Sequence, residues 1–161
     1  MSNAINDAST LHPIGVPELA DALCHVLGNT CRLARVAQCF GWNAMGRGAL
    51  EAERCYLSQA EEMHTALDPI AQHIRMLGGV AVQDYSDDLV RISMPDSKLM
   101  PGLTEMTIAM SGAHEEICLS ISAAIDVARG LDDPSSIQLL ATRCGAHKIH
   151  AWRLTQLAAD I

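Results

Sequence analysis

The feature that most constrains this chain is a set of four long stretches with apolar residues at helical spacing, set apart by glycine and proline stops. In the first, Gly15-Val16-Pro17-Glu18 reads as a helix start, with proline and an acid in the first turn. Leu19, Leu23, Val26, Leu27, Leu33, Val36, Ala37 and Phe40 then recur on one face, so the helix is expected to run to about Ala44. Gly46-Arg47-Gly48 is a turn, and a second amphipathic segment runs from Leu50 to Leu77 and stops at Gly78-Gly79. The third covers Leu103 to Arg129. After Gly130-Leu131-Asp132-Asp133-Pro134, with Asp133 as cap and Pro134 in the first turn, the fourth covers Ser135 to Leu157.

Each rod is about 35 to 42 Å long at 1.5 Å per residue, so the four match well enough to lie side by side. Two of the three connections are short and make antiparallel hairpins. The third, from Val80 to Pro101, is broken by Asp87-Asp88, Pro95 and Pro101 and is long enough to cross the length of a bundle, with one short helix expected near Asp84 to Ile92. The expectation is an all-α fold: a four-helix bundle over residues 15–161 with one long crossover, the ferritin-like connectivity, preceded by a polar, aperiodic tail at residues 1–14. Composition agrees, because hydrophobic residues make up 49% of the chain and aromatics only 3%, which leaves helix-forming Leu, Ala and Met to build the core.

Charge narrows the partners. Eleven Lys plus Arg against nineteen Asp plus Glu give a net charge of -8, the wrong sign for binding a phosphate backbone, and no basic residue precedes Arg32. DNA is therefore not an expected partner. Nothing reads as a membrane span or a signal-peptide n-region, so a cytoplasmic protein is expected. The six cysteines form no C-x-x-C pair and read as small reduced core residues.

On the second segment Glu53, Glu61, His64, Asp68 and Gln72 share a sector about a quarter-turn wide, opposite an apolar stripe of Tyr56, Met63, Leu67, Ile70, Ile74 and Leu77. His64 and Asp68 stand one turn apart, the spacing of a shared cation or of a simple helix-surface contact. Pro69 beside them removes an amide donor and frees the Thr65 carbonyl, which predicts a local bend. Glu61 and His64 also have Glu-x-x-His spacing, but a metal-dependent enzyme inside a single bundle would need that pair on facing helices. His25 reads as a packing or interface residue rather than a ligand, Trp42 and Trp152 as packing anchors, and the eight methionines as core filler.

Three blocks resemble the Dps family of ferritin-like mini-cages. Trp42-Asn43-Ala44-Met45-Gly46 through Ile70-Ala71-Gln72-His73-Ile74-Arg75-Met76-Leu77-Gly78-Gly79 is similar to that family's HWNVKG…AERIRALGG segment, without a gap. Ala113-His114-Glu115 is a second match, and His147-Lys148-Ile149-His150-Ala151-Trp152-Arg153-Leu154 resembles HEKxxWML. The resemblance implies a homo-oligomeric, dodecameric cage assembled from two-fold dimers. Such a cage takes in ferrous iron, oxidises it at ligands shared across the two-fold and stores the mineral. It places the family's ligand positions on Gly41, Glu53, Leu57, Asp68 and Gln72, of which only Asp68 keeps its residue and only Glu53 adds a second carboxylate. Iron chemistry asks for several hard ligands at one point, which Gly, Leu and Gln do not supply. A rearranged set of Glu53, Glu61, His64, Asp68 and Gln72 is the candidate iron site. The same resemblance makes Asp126, Asp132 and Asp133 candidates for lining an acidic entry pore, with Asp133 alternatively only a helix cap. The rival expectation is a ferritin-fold structural oligomer without metal chemistry.

Overall fold

A computed structural model describes residues 16–81 and 100–161, and its elements are four α-helices: α1 (Val16–Asn43), α2 (Ala49–Met76), α3 (Leu103–Gly130) and α4 (Pro134–Asp160). The tail and the short helix expected near Asp84 to Ile92 lie outside the described residues. Every helix falls within a few residues of the boundary its punctuation predicts. No helix among these is long and apolar enough to cross a membrane.

The helix ends show why glycine and aspartate stand where they do. Gly78 sits at φ 83 beyond the end of α2, its N–H bonding the Arg75 carbonyl at 3.0 Å while Gly79 N–H reaches Ile74 at 3.0 Å. These two bonds satisfy the last free carbonyls of the helix. The α3–α4 turn repeats the arrangement with Asp132 at φ 52, Asp132 N–H bonding Arg129 at 3.2 Å and Asp133 N–H bonding Ala128 at 3.0 Å. Aspartate tolerates this left-handed conformation better than most side chains. Asp133 then caps α4, its Oδ1 accepting from the Ser135 and Ser136 amides at 3.0 and 3.1 Å.

Contacts between helices fix their directions. Ser111 meets Ala151, His114 meets His147 and Cys118 meets Cys144, so α3 and α4 are antiparallel. By contrast, Tyr56 hydrogen-bonds Thr107 and Gln59 meets His114, a pairing that advances along both helices. Helices α2 and α3 are therefore parallel, which an up-and-down bundle forbids and a long crossover between them requires.

The core is aliphatic, as the composition demands, with Phe40 and Tyr56 its buried aromatics. Tyr56, Met63, Ile70 and Ile74 of the expected apolar stripe are buried, with Leu67 and Leu77 packed against them. Helix α2 carries Pro69 within its length. Two expectations change. Trp42 and Trp152 do not anchor this core: their side chains are 69% and 62% exposed in the single chain. Of the cysteines only Cys31 is buried; the other five are partly exposed and all six are free thiols.

Candidate functional site

The acid-and-imidazole stripe of α2 lies on the outside of the bundle. Glu53, Glu61, His64, Asp68 and Gln72 are all exposed, while the residues that turn inward between them, Ala52, Tyr56, Ala60 and Met63, are buried. One member is held in a definite orientation. His64 Nδ1 lies 2.8 Å from the Ala60 carbonyl, and because a carbonyl only accepts, Nδ1 carries the proton and Nε2 presents a lone pair outward. An imidazole fixed through one nitrogen with the other bare is the usual preparation for a metal ligand. Asp68, one turn on, shares this face.

The other half of the implied site is filled with hydrocarbon. A Cβ placed on Gly41 would stand 2.8 Å from Leu57 Cδ2 and 2.9 Å from Leu57 Cγ. Leu57 thus packs directly over Gly41 where α1 crosses α2, and both positions that the resemblance gives to ligands serve instead as a knob and its hole.

The pore candidates also have local partners. Asp126 is paired with Arg129 at 2.8 Å on the exposed face of α3. Asp132 is the left-handed residue of the turn, and its side chain is exposed. Asp133 accepts four hydrogen bonds, from the amides and hydroxyls of Ser135 and Ser136, with both Oγ distances 2.6 Å. Burial opposes its charge, but these bonds win and hold its carboxyl at about 2. His73 extends the chain by donating to Ser136 Oγ at 2.7 Å, tying α2 to the start of α4.

A second polar cluster lies inside the bundle, and the sequence reading did not foresee the Glu62–Arg143 pair at its centre. Arg143 is only 5% exposed and forks onto Glu62, Nη1 to Oε1 at 2.8 Å and Nη2 to Oε2 at 2.6 Å. His150 Nε2 donates to the same Oε2 at 2.9 Å. Gln59 Nε2 donates to Cys55 Sγ and the His150 carbonyl, so its Oε1 faces and accepts from His114 Nε2 at 3.0 Å. His114 Nδ1 must then accept from His147 Nδ1, 2.8 Å away. Proton directions through the cluster are thereby determined, and they leave His147 Nε2 and His150 Nδ1 as buried lone pairs without a partner.

Electrostatics follow from this burial. Burial, helped by the nearby His150 and Arg143, pushes His114 down to about 3. Burial together with Arg143 takes His147 to about 2, and burial lowers His150 against the pull of Glu62. Burial works against the Glu62 anion, but hydrogen bonds from Arg143 and His150 outweigh it and keep the carboxyl below its ordinary 4.5. The cluster is therefore one anion, one permanent cation and three neutral imidazoles. It borders a cleft of about 560 Å³ between α2 and α4, lined by Glu61, Glu62, Pro69 and Arg143 among others. Among the described residues, no three His, Cys, Asp or Glu side chains of one chain converge into a group that could hold a metal ion.

A model of the ferritin-like domain matches residues 20–161. No curated protein matches the sequence significantly. The fold is close to that of several solved Dps structures. The Bacillus brevis Dps superposes with a TM-score of 0.81 at 19% identity, over 88% of this chain and 95% of that one. DpsC from Streptomyces coelicolor gives 0.81 at 21% identity, over 86% and 81%. The Dps protein from Vibrio cholerae O1, described as a member of a broad superfamily of ferritin-like diiron-carboxylate proteins, gives 0.79 at 16% identity, over 88% and 89%.

Proposed function

Because the chain belongs to the ferritin-like family, we propose that it is the subunit of a Dps-like cage, a homo-oligomer of two-fold dimers and in full a dodecamer, that binds and stores iron. Iron is taken by the outer stripe of α2, with His64 and Asp68 as the central ligands and Glu53, Glu61 and Gln72 completing the set from the same helix or its two-fold mate. The observation that carries this reading is the orientation of His64, whose Nε2 is turned outward by the 2.8 Å contact of Nδ1 with Ala60. One imidazole and a few carboxylates per chain are too sparse for a ferrous ion, so a second copy is needed to complete the shell.

Exposed apolar side chains support assembly. Trp42, Met45, Leu50, Leu119, Ile149 and Trp152 are large, apolar and exposed in the single chain, the kind of surface that a partner covers. Asp126 and Asp132 supply the acidic approach to a pore, while Asp133 contributes through the turn it caps. A cytoplasmic cage that does not take DNA as a partner suits the -8 net charge.

Oxidation of the bound iron is part of this proposal in a weakened form, since Gly41 and Leu57 add no ligand. A specific observation favours the rival reading, an inert shell: the direct packing of Leu57 on the Gly41 backbone. Aerobic addition of ferrous iron to the purified cage separates the two. The proposal expects faster growth of ferric absorbance than in buffer, strongly reduced in an Asp68→Asn, His64→Gln variant whose assembly is intact. Equal rates for protein and buffer leave the inert shell.

A further inference from the structure

The seam between α3 and α4 is tight enough for side chains of one helix to reach the main chain of the other. Ser111 Oγ donates to the Ala151 carbonyl at 3.4 Å and, two turns on, Cys118 Sγ lies 3.6 Å from the Cys144 carbonyl. The residue that Cys118 meets across the seam is thus itself a cysteine. Their thiols sense each other: burial first, then the hydrogen bond and charge of Cys144, push Cys118 up to about 12 against the pull of Lys148. Both thiols are free and partly exposed, and Cys118 lines a surface groove of about 400 Å³ with Glu115, Lys148 and Trp152. The other cysteines have different company. Cys24 faces the Val80 carbonyl at 3.5 Å, Cys39 the Asn43 amide and Cys55 the Gln59 amide, while Cys31 is buried.

We infer that Cys118 and Cys144 form a modification site, a dithiol that a hydroperoxide converts into a disulfide bolting α3 to α4. Cys118 keeps its proton, which makes it the resolving partner rather than the group that meets the oxidant. The Cys144 thiolate attacks one peroxide oxygen, the O–O bond breaks, and the departing hydroxide takes up the thiol proton and leaves as water. Cys144 then carries a sulfenic acid. The Cys118 sulfur displaces hydroxide from that sulfur, and its own proton leaves with the hydroxide as a second water. Two thiols give up two electrons and the peroxide takes two. Rotation about χ1 is the movement that brings facing sulfurs to bonding distance. In a reducing compartment such a bond is transient, the form expected of a redox-responsive site rather than a permanent staple. While it lasts it closes the chain between positions 26 apart in sequence, which restricts the unfolded state and raises stability.

The test exposes the purified, reduced, iron-free full-length chain to hydrogen peroxide with a chelator present, and maps its tryptic peptides without reductant. The expected product joins the peptide Cys144 to Lys148 to the peptide Leu99 to Arg129 and is undone by dithiothreitol. The oxidised chain should melt about 5 °C higher than the reduced one. In Cys118→Ser, with no resolving thiol, dimedone added with the peroxide should label Cys144. In Cys144→Ser the thiol of Cys118 should stay unlabelled, and neither variant should gain thermal stability from peroxide. The inference is overturned if peroxide leaves Cys118 and Cys144 reduced, if Cys118 is joined mainly to another cysteine, if dimedone fails to label Cys144 in Cys118→Ser or labels Cys118 in Cys144→Ser, or if the linked chain melts no higher than the reduced one.

Discussion

Leu57 of α2 closes directly over Gly41 of α1, so that even a single added Cβ at Gly41 would stand 2.8 Å from Leu57 Cδ2. The two positions form one packing unit, and the chemistry of either depends on the size of the other. Any side chain at 41 therefore competes with Leu57 for the same space.

Gly41→Ala measures that coupling. In the wild type the added methyl overpacks the α1–α2 contact, and a net destabilisation of about 1 kcal/mol is expected even though alanine is the better helix former. In a Leu57→Ala background the space is open and the same change should stabilise by about 0.5 to 1 kcal/mol. Urea unfolding of the four proteins gives the answer, and an identical effect in both backgrounds would contradict the contact.

Acid sensitivity is expected from the buried imidazoles. His114 and His147 have an ordinary value of 6.5 when unfolded but about 3 and 2 when folded, so the unfolded chain binds more protons as pH drops below 6.5. Their neutral burial is fully tolerated above pH 6.5, and stability falls by about 1.4 kcal/mol per pH unit for each ring as pH moves from 6.5 toward 3. Glu62, with its carboxyl lowered by Arg143 and His150 against burial, adds to the same loss below its ordinary 4.5. Denaturant titrations at several pH values between 4 and 7 should show this slope, and His147→Gln should flatten it. A pH-independent midpoint over that range is the contrary result.

How much of this was legible in the sequence depended on range. The helices and their ends follow from short-range rules, a 3.6-residue period and local stops such as Gly78 and Asp133, and these place every boundary within a few residues. The parallel course of α2 and α3 was readable from the length of one connection. The interior cluster was not readable in the same way. Glu62 adjoins Glu61 of the outer stripe, and a 100° step turns it into the seam with α4, where it meets Arg143, 81 positions away. Only the register of α4 on α2 brings that pair together. The signal that was available is the repeated i, i+3 spacing of Gln59 with Glu62 and of His147 with His150. Trp42 and Trp152 misled for a related reason, since indole size says that a surface will be covered but not by which chain.

Trp152 offers a direct handle on assembly. It stands exposed between two surface grooves of α4, one toward Glu51 and Arg54 on α2 and one toward Glu115 and Cys118 on α3. Trp152→Glu is expected to lower the particle mass seen by light scattering while leaving helical content unchanged, because the side chain contributes little to the single-chain core. Retention of the full particle mass would place the assembly contacts elsewhere.

The central claim is that the outer stripe of α2 holds iron between two copies of the chain. An anomalous-scattering map from crystals soaked in ferrous iron tests it most directly. The account predicts a peak at bonding distance from His64 Nε2 and Asp68, close to a two-fold axis between subunits. A map with no peak at that stripe, or with its peak inside the bundle beside Glu62, would contradict it.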